Sequence, residues 1–269
     1  RQRQMCIRDS STYALYEYDL NNHKAYFIAD MEAEILRRGE VSSIIKQKTD
    51  YFIGFKSSGL IQLKYMPDSK VKYSLQSINV QSGIFCLMKD RFQDIIWVGA
   101  DGQGLYMYFT DEFSIDNIML DVPEYRVDNP VRALYQDQDQ TLWIGTKGGG
   151  ILKMFDFHPD METLPRAERI LASNSPLMDN SVYSFAPSRR KLLWIGTESG
   201  LNYYSYSQKR IQEFPVMADG KMVKYVHSVR ETNDSTLWVV SAGEGIVKII
   251  LDATSLLPKV KSARRFTPV

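Results

Sequence analysis

The sequence predicts an all-β fold built from one structural unit that is repeated along the chain. Three observations lead to this prediction. The four tryptophans, Trp97, Trp143, Trp194 and Trp238, occupy the same place in one short motif, and Phe52 stands at that place in a fifth copy. From Phe52 onward the copies are spaced by 45, 46, 51 and 44 residues. Of the 16 glycines, 13 fall inside these five motifs.

The copy around Trp143 shows how each unit divides into strands. An alternating segment rich in strand formers comes first, then a polar turn, a more apolar segment, a glycine turn and a third apolar segment. A fourth segment follows after a longer loop. These segments are residues 130–135, 141–146, 151–157 and 169–172. Four short antiparallel strands in a repeat of about 45 residues are typical of a propeller blade. The fold class predicted is therefore a β-propeller.

The large ring and the glycine of the motif each have a physical reason in such a fold. Blades stack on one another, so each sheet face is covered by its neighbour. A tryptophan at one fixed place fills the gap and buries on the order of 200 Å². A glycine follows two residues later, where the neighbouring backbone comes close. The predicted structural residues of the repeat are Phe52, Trp97, Trp143, Trp194, Trp238, Gly54, Gly99, Gly145 and Gly196.

The repeat also predicts the domain boundaries. Complete blades are expected to start near residues 40, 83, 129, 180 and 224, within a propeller that spans 40–269. Residues 11–39 resemble the last two strands of a unit and are predicted to form a partial blade. Residues 1–10 are polar, show no strand or helix period and are predicted to be a non-native leader. A ring of seven blades needs about 315 residues, so we expect a fragment of such a ring.

Composition excludes several classes of protein. The net charge is +1, so the chain has no excess of basic residues that would favour nucleic acid as a partner. Two cysteines cannot form a disulfide scaffold or a cysteine-rich zinc site. No apolar run reaches the roughly 20 residues of a membrane span, and no signal peptide pattern is present. No metal and no cofactor are predicted.

The residues that usually carry catalysis do not form a set in this sequence. His23, His158 and His227 are far apart, and each is predicted to be an ordinary surface or core histidine. The glycine turn 145–150 lacks the terminal Gly-Lys-Ser/Thr of a phosphate loop and precedes a strand. The serine in 196–200 is one place late for a nucleophile elbow. Turn composition explains the carboxylates Asp137, Asp139, Asp156 and Asp160. This segment is therefore predicted not to be an enzyme.

Topology indicates where a ligand would bind. The first strand of a unit runs away from the face at which it enters, and the second strand returns to that face. The turn after the second strand therefore lies beside the loop that enters the first. The residues predicted to bind ligand there are Asp101, Gln103, Lys147, Glu198 and Glu244, with Ser199, Asn129, Asn180 and Lys224 beside them. The alternative is that they are ordinary solvated turn residues. Tyr203, Tyr204 and Tyr206 could stack on a sugar ring, although strand alternation divides them between packing and surface.

The motif resembles that of a known family. Leu-Trp-Ile-Gly-Thr at 142–146 and 193–197, followed by glycines and a further strand, is similar to the two-component regulator propeller repeat. The resemblance covers residues 40–250 and, more weakly, 12–30, while Phe52 and Val239–Ser241 depart from it. It implies the periplasmic sensor propeller of a hybrid two-component histidine kinase, of the type frequent in Bacteroidetes. It also implies an oligosaccharide ligand, a homodimeric parent, further blades and downstream domains in the same chain, and no nucleic acid contact by this segment.

Two other functions remain open from the sequence. The first alternative is a propeller that binds another protein and no small ligand. The second is a propeller enzyme that acts on polysaccharide. No tryptophan is followed by aspartate, so the WD signature of many interaction propellers is missing.

Overall fold

The computed structural model describes residues 4–8, 13–66, 68–117, 126–157 and 166–267, and in 4–8 it describes the backbone alone. These residues form two compact units. The first unit holds the sheets of residues 4–117. The second holds the sheets of residues 126–267, together with residues 102–104.

The first unit begins with a three-stranded antiparallel sheet and a short helix, followed by two four-stranded antiparallel sheets. In every sheet the spatial order of the strands follows the chain. The opening elements are β1 Gln4–Arg8, β2 Ala14–Asp19, β3 Lys24–Asp30 and α1 Glu32–Arg38. The next sheet contains β4 Val41–Gln47, β5 Asp50–Phe55, β6 Leu60–Tyr65 and β7 Tyr73–Ile78. The last contains β8 Ile84–Lys89, β9 Ile95–Ala100, β10 Leu105–Phe109 and β11 Ser114–Asn117.

The second unit contains three four-stranded antiparallel sheets and one short hairpin. The first sheet consists of β12 Val131–Gln136, β13 Leu142–Thr146, β14 Ile151–Met154 and β15 Ala167–Ile170. The second consists of β16 Val182–Pro187, β17 Leu192–Thr197, β18 Leu201–Ser205 and β19 Arg210–Phe214. The hairpin is β20 Met217–Ala218 with β21 Lys221–Met222. The third sheet consists of β22 Val226–Asn233, β23 Thr236–Ser241, β24 Gly245–Leu251 and β25 Val260–Phe266. Five four-stranded sheets and one partial sheet agree with the predicted blade count.

Three of the motif rings, Trp143, Trp194 and Phe52, are buried between neighbouring sheets. Trp143 is fully buried, and the ring of Tyr204 from the next sheet lies 4.8 Å from it, edge to face. Trp194 is fully buried in a core that it shares with β22, β23 and β24. Phe52 takes the same position in the first unit, 5.3 Å from Tyr108 of the next sheet. Each ring is therefore covered by the sheet that follows it.

The motif glycines lie where the next sheet approaches most closely. A Cβ atom added to Gly54 would lie 2.6 Å from Cγ2 of Ile84, and one added to Gly145 would lie 2.8 Å from Cγ1 of Val182. At Gly196 the nearest atom of the next sheet would be the carbonyl oxygen of Val226, at 2.4 Å. These separations are shorter than van der Waals contact, so a side chain would force the sheets apart.

The last sheet departs from this pattern. Trp238 is only half-buried, and Val240, which is 44% exposed, replaces the motif glycine. Phe266 of β25 and Lys248 of β24 lie over Trp238, with ring centroids 6.0 Å apart and the ammonium 5.5 Å from the ring.

Two elements near the start of the chain were not expected from the sequence. Residues 4–8 form β1, which pairs with β2 from Gln4–Asp19 to Arg8–Leu15, although the sequence of 1–10 shows no strand period. A strand at a sheet edge pairs through its backbone, which requires no side-chain alternation. Helix α1 lies in the predicted partial blade, and it ends at Gly39, which has a positive φ of 80°.

Candidate functional site

The turn after each second strand lies beside the loop that enters the first strand of the same sheet, as the topological argument requires. One backbone hydrogen bond joins the two segments in each complete sheet. The donor and acceptor pairs are Lys56 and Glu40, Asp101 and Gly83, Lys147 and Pro130, Glu198 and Ser181, and Ala242 and Tyr225, at 2.8–3.0 Å. In the second unit, further backbone bonds link neighbouring turns, such as Tyr225 N–H to Glu198 O at 2.8 Å. We call this surface of the second unit the entry face.

The predicted ligand-binding residues do not form one cluster. Lys147 is exposed and Glu198 and Glu244 are half-buried on the entry face. Among the described residues, no hydrogen bond or ion pair joins any two of these three side chains. Asp101 lies on the β9–β10 turn of the first unit and is exposed, and Gln103 follows it in that turn.

Glu244 is occupied by a neighbour on its own sheet. Its carboxylate forms an ion pair with Arg265 of β25 and accepts a hydrogen bond from the Ser241 hydroxyl at 3.3 Å. The hydrogen bond from Arg265 is the main reason that the pKa of Glu244 is lowered. The side chain therefore ties the β23–β24 turn to the last strand.

A repeated irregularity turns one side chain out of each first strand. The ladder between first and second strand skips one residue in all five complete sheets, at the second position of the first strand. Bulges of this kind re-aim a side chain and are frequent beside binding sites. In the second unit the skipped residues are Arg132, Tyr183 and His227.

These three residues and Glu198 form the Tyr183 cluster on the entry face. The rings of Tyr183 and His227 stack, with centroids 4.4 Å apart and an interplanar angle of 23°. The Tyr183 hydroxyl donates a hydrogen bond to Glu198 Oε2 at 2.8 Å. Arg132 is close enough that its charge affects the titration of both rings.

Burial and charge set the protonation of this cluster. Burial and the hydrogen bond to the Glu198 carboxylate raise the pKa of Tyr183 to about 12. Partial desolvation, and then the nearby Arg132 guanidinium, lower the pKa of His227 below its usual value of 6.5. At neutral pH the stacked rings of the cluster are therefore a neutral phenol and a neutral imidazole.

Sequence reasoning selected only Glu198 from this cluster. His227 was predicted to be an ordinary surface or core histidine. It is exposed, but it stacks on a residue of the neighbouring sheet. Tyr183 was not selected. Both residues occupy the second position of a first strand, and this shared position is the sequence signal that could have identified them.

The other sequence candidates have structural partners or lie elsewhere. The Ser199 hydroxyl donates a hydrogen bond to Asp179 Oδ2 at 2.8 Å. The backbone carbonyl of Asn180 accepts from Gly148 and Gly150 of the preceding sheet. His23 Nδ1 and the Tyr18 hydroxyl form a hydrogen bond of 3.3 Å. His158 and Asp160 lie outside the described residues. In the described parts of the chain, no three His, Cys, Asp or Glu side chains are grouped to hold a metal ion.

A cleft of about 410 Å³ opens at the ends of β12–β19 that lie away from the entry face. It is beside the β12–β13 and β18–β19 turns. Its floor is Lys153 of β14, whose side chain is 8% exposed. The Lys153 ammonium lies 4.7 Å from the ring centre of Trp143, 4.7 Å from that of Phe155 and 4.8 Å from that of Tyr204. We call this the Lys153 cleft. Tyr204 and the half-buried Tyr206 contribute to its wall, whereas Tyr203 is buried on the other face of β18 against Trp194.

One segment of the second unit matches a known family. Residues 126–148, which contain β12 and the Trp143 motif, match the family model described as two component regulator propeller. Histidine kinase P4 of Formosa agariphila is 27% identical over 186 residues, which are 68% of this chain and 13% of that protein. In the described parts of the chain, no helix has the length and apolar character needed to cross a membrane.

Two solved structures are similar in fold. The extracellular domain of a hybrid two component system from B. thetaiotaomicron has a TM-score of 0.65 and 20% identity, with 95% of this chain and 34% of that chain covered. PorZ of Porphyromonas gingivalis, a surface component of the type-IX secretion system, has a TM-score of 0.64 and 12% identity, with 99% and 40% covered. The chain thus spans about a third of that extracellular domain. The predicted all-β propeller fold is confirmed, and residues 126–148 match the two-component regulator propeller repeat.

Proposed function

We propose that this chain is the extracytoplasmic ligand-sensing propeller of a hybrid two-component sensor histidine kinase. The observation that carries the proposal is the similarity to histidine kinase P4 over 186 residues. The family match around Trp143 and the fold shared with an extracellular domain of a hybrid two component system support it. In this proposal the segment lies in the periplasm, carries no catalytic residue and binds no cofactor.

The proposal assigns the remaining parts of the parent protein to other segments. Further blades and downstream domains of the same chain, including a cytoplasmic kinase, would receive the signal, and the parent would act as a homodimer. Residues 1–10 are proposed to be a non-native leader, 11–39 a partial blade and 40–269 the propeller blades.

We propose an oligosaccharide as the ligand and the Tyr183 cluster as the centre of its site. The stacked rings of the half-buried Tyr183 and the exposed His227 give an apolar surface for a sugar ring. The Glu198 carboxylate can accept hydrogen bonds from hydroxyl groups, because only one of its oxygens is used by Tyr183. Lys147 lies exposed on the same face and can donate to a ring oxygen or hydroxyl.

Calorimetric titration of the 269-residue chain with a panel of oligosaccharides tests this proposal. A micromolar ligand corresponds to about −8 kcal/mol of binding free energy. Tyr183→Phe, Glu198→Gln and Lys147→Ala are each expected to weaken binding by about tenfold. Glu213→Gln is the matched control, because that carboxylate is exposed on the fourth strand of the same sheet.

The outcomes separate the alternatives. Saturable binding that is weakened in the first three variants and unchanged in the control supports a sugar sensor with its site on the entry face. A folded protein that binds none of the saccharides would favour the propeller that recognises another protein.

A further inference from the structure

The Lys153 cleft contains a buried charge whose hydrogen bonds are not satisfied by the described residues. The Lys153 ammonium makes one hydrogen bond, to the Tyr204 hydroxyl, at the long distance of 3.4 Å. Among the described residues its ion-pair partner is Glu168, whose Oε2 lies 3.7 Å away, longer than a normal hydrogen bond. Burial lowers the pKa of this lysine, with the Glu168 carboxylate opposing that effect. Cation–π contacts hold the ammonium in place, but they leave N–H groups that face the cleft.

The rim of the cleft carries charges of both signs. Arg166 packs its guanidinium over Phe155 at 4.2 Å and is exposed, and it forms no ion pair with any described residue. Asp139 and Asp156 are also exposed and line the same cleft. Asp137 is not available, because its carboxylate accepts bonds from Trp143 Nε1 and from the backbone N–H groups of Asp139 and Thr141.

We infer that the Lys153 cleft is a second binding site, which takes the acidic end of a sugar acid with the ligand carboxylate on Lys153. This inference rests on the proposed sensing function and adds a site that is separate from the Tyr183 cluster. The volume of about 410 Å³ lies within the range of small-ligand pockets.

Charge and hydrogen bonding select this ligand class over its competitors. A ligand carboxylate can approach Lys153 to a normal hydrogen-bond distance, which Glu168 does not, and Arg166 can bind the same group. A neutral sugar would leave the buried ammonium without that acceptor. Inorganic phosphate would satisfy the cations, but it has no hydroxylated body that could donate hydrogen bonds to Asp139 and Asp156. A sugar acid meets both requirements, because its hydroxyl groups can donate to those carboxylates.

The test is a titration of the 269-residue chain with D-glucuronate, D-glucose and inorganic phosphate, followed by tryptophan fluorescence. Trp143 lies under Lys153 and should report occupancy. Glucuronate is expected to saturate the signal and to bind at least about tenfold more tightly than the other two probes. Lys153→Met, which keeps the length and the ring contacts, is expected to weaken glucuronate binding by about tenfold or more.

Glu168→Gln distinguishes a binding role of Lys153 from a structural one. Glu168 competes with the ligand for the ammonium, so its neutralisation is expected to raise the affinity for glucuronate several-fold. A lysine that serves only to hold the sheets together would give no such increase. Lys153→Gln, checked by circular dichroism and urea unfolding, gives a second variant in case Lys153→Met fails to fold.

Two results would overturn the inference: no saturable response to glucuronate in a folded protein, or full binding in both folded Lys153 variants. Tyr183→Phe keeps failure of this site distinct from failure of the proposed function. If Tyr183→Phe abolishes oligosaccharide binding while glucuronate has no effect, the cleft is not a site and the sensor proposal stands.

Discussion

The indole N–H of Trp194 donates a hydrogen bond to Glu231 Oε2 at 2.9 Å, although the two residues are 37 positions apart and belong to neighbouring sheets. In two other sheets the acceptor is local: Trp97 donates to Asp90 at 2.8 Å and Trp143 to Asp137 at 3.0 Å. Ser188 occupies the corresponding turn position before Trp194, and its side chain is too short to serve. The next sheet therefore supplies the missing carboxylate, which ties the two sheets together.

Loss of this acceptor is expected to destabilise the second unit. Glu231→Ala leaves the indole N–H of Trp194 buried without a partner, which costs about 1–3 kcal/mol of unfolding free energy. Glu231→Gln retains an oxygen that can accept the bond, so its effect should be smaller. Urea unfolding followed by circular dichroism measures both changes.

A second substitution provides the control. Ser188→Asp should restore a local acceptor of the kind that Asp137 supplies to Trp143. In the Glu231→Ala background it is expected to recover most of the lost stability. Equal stability of Glu231→Ala and the wild-type protein would contradict the assigned role of this bond.

The motif glycines are expected to tolerate no side chain. Gly196→Ala would place a Cβ atom 2.4 Å from the carbonyl oxygen of Val226, a backbone atom that cannot move alone. Gly145→Ala would meet a methyl group of Val182 at 2.8 Å. Overpacking of this kind costs about 1–3 kcal/mol, and Gly196→Ala should be the more costly of the two. Thermal or urea unfolding ranks the variants.

The two glycines should also differ in whether they can be rescued. Val182→Ala removes the obstructing methyl groups and is expected to recover part of the stability of Gly145→Ala. No side-chain substitution at Val226 removes its carbonyl oxygen, so Gly196→Ala should remain destabilised. Rescue of Gly196→Ala by Val226→Ala would show that the side chain, whose Cγ1 atom would lie at 2.6 Å, is the true obstacle.

The fold was predictable because each blade needs a large aromatic ring at one fixed position. The regular recurrence of that ring is visible in the sequence. The tryptophan period led to five complete sheets, and the topology of each sheet led to the shared edge of Lys147 and Glu198. Helix α1 was missed because it is only seven residues long and buries Ile35 while Leu36 is 77% exposed, which gives no periodic pattern. Strand β1 was missed because it pairs through its backbone, which requires no alternation of apolar and polar side chains in the sequence.

The candidate site was less predictable, because it depends on register and on contacts between sheets. Tyr183 and His227 are themselves the residues that the ladders skip, so each side chain turns out of its strand and the two rings can stack. Residue type alone does not predict that irregularity. Lys153 reads as an ordinary strand lysine in the sequence. Its burial arises only when Tyr204 of the next sheet lies over Trp143.

The Tyr183 cluster should make stability depend on pH through His227. The pKa of His227 is lower in the folded protein than its usual 6.5, mainly because of burial and then because of Arg132. The unfolded chain therefore binds the proton more readily, and the contribution of His227 to stability rises as pH rises from its folded pKa through 6.5. His227→Phe retains a ring over Tyr183 and removes this titration. The stability difference, wild type minus variant, is expected to increase from about pH 5 to about pH 7.5. A difference that is flat or falls over that range, measured by urea unfolding, would be inconsistent with a lowered pKa.

Trp238 should account for most of the tryptophan fluorescence that a soluble quencher can reach. Trp97, Trp143 and Trp194 are at most 1% exposed, whereas Trp238 is only half-buried. Acrylamide quenches by contact, so it can act on the native protein chiefly at Trp238. In Trp238→Phe the quenchable component is expected to disappear, while Trp143→Phe should lower the total emission and leave that component in place. A quenchable fraction that persists in Trp238→Phe would mean that another motif tryptophan is uncovered in solution, and thus that two neighbouring sheets separate.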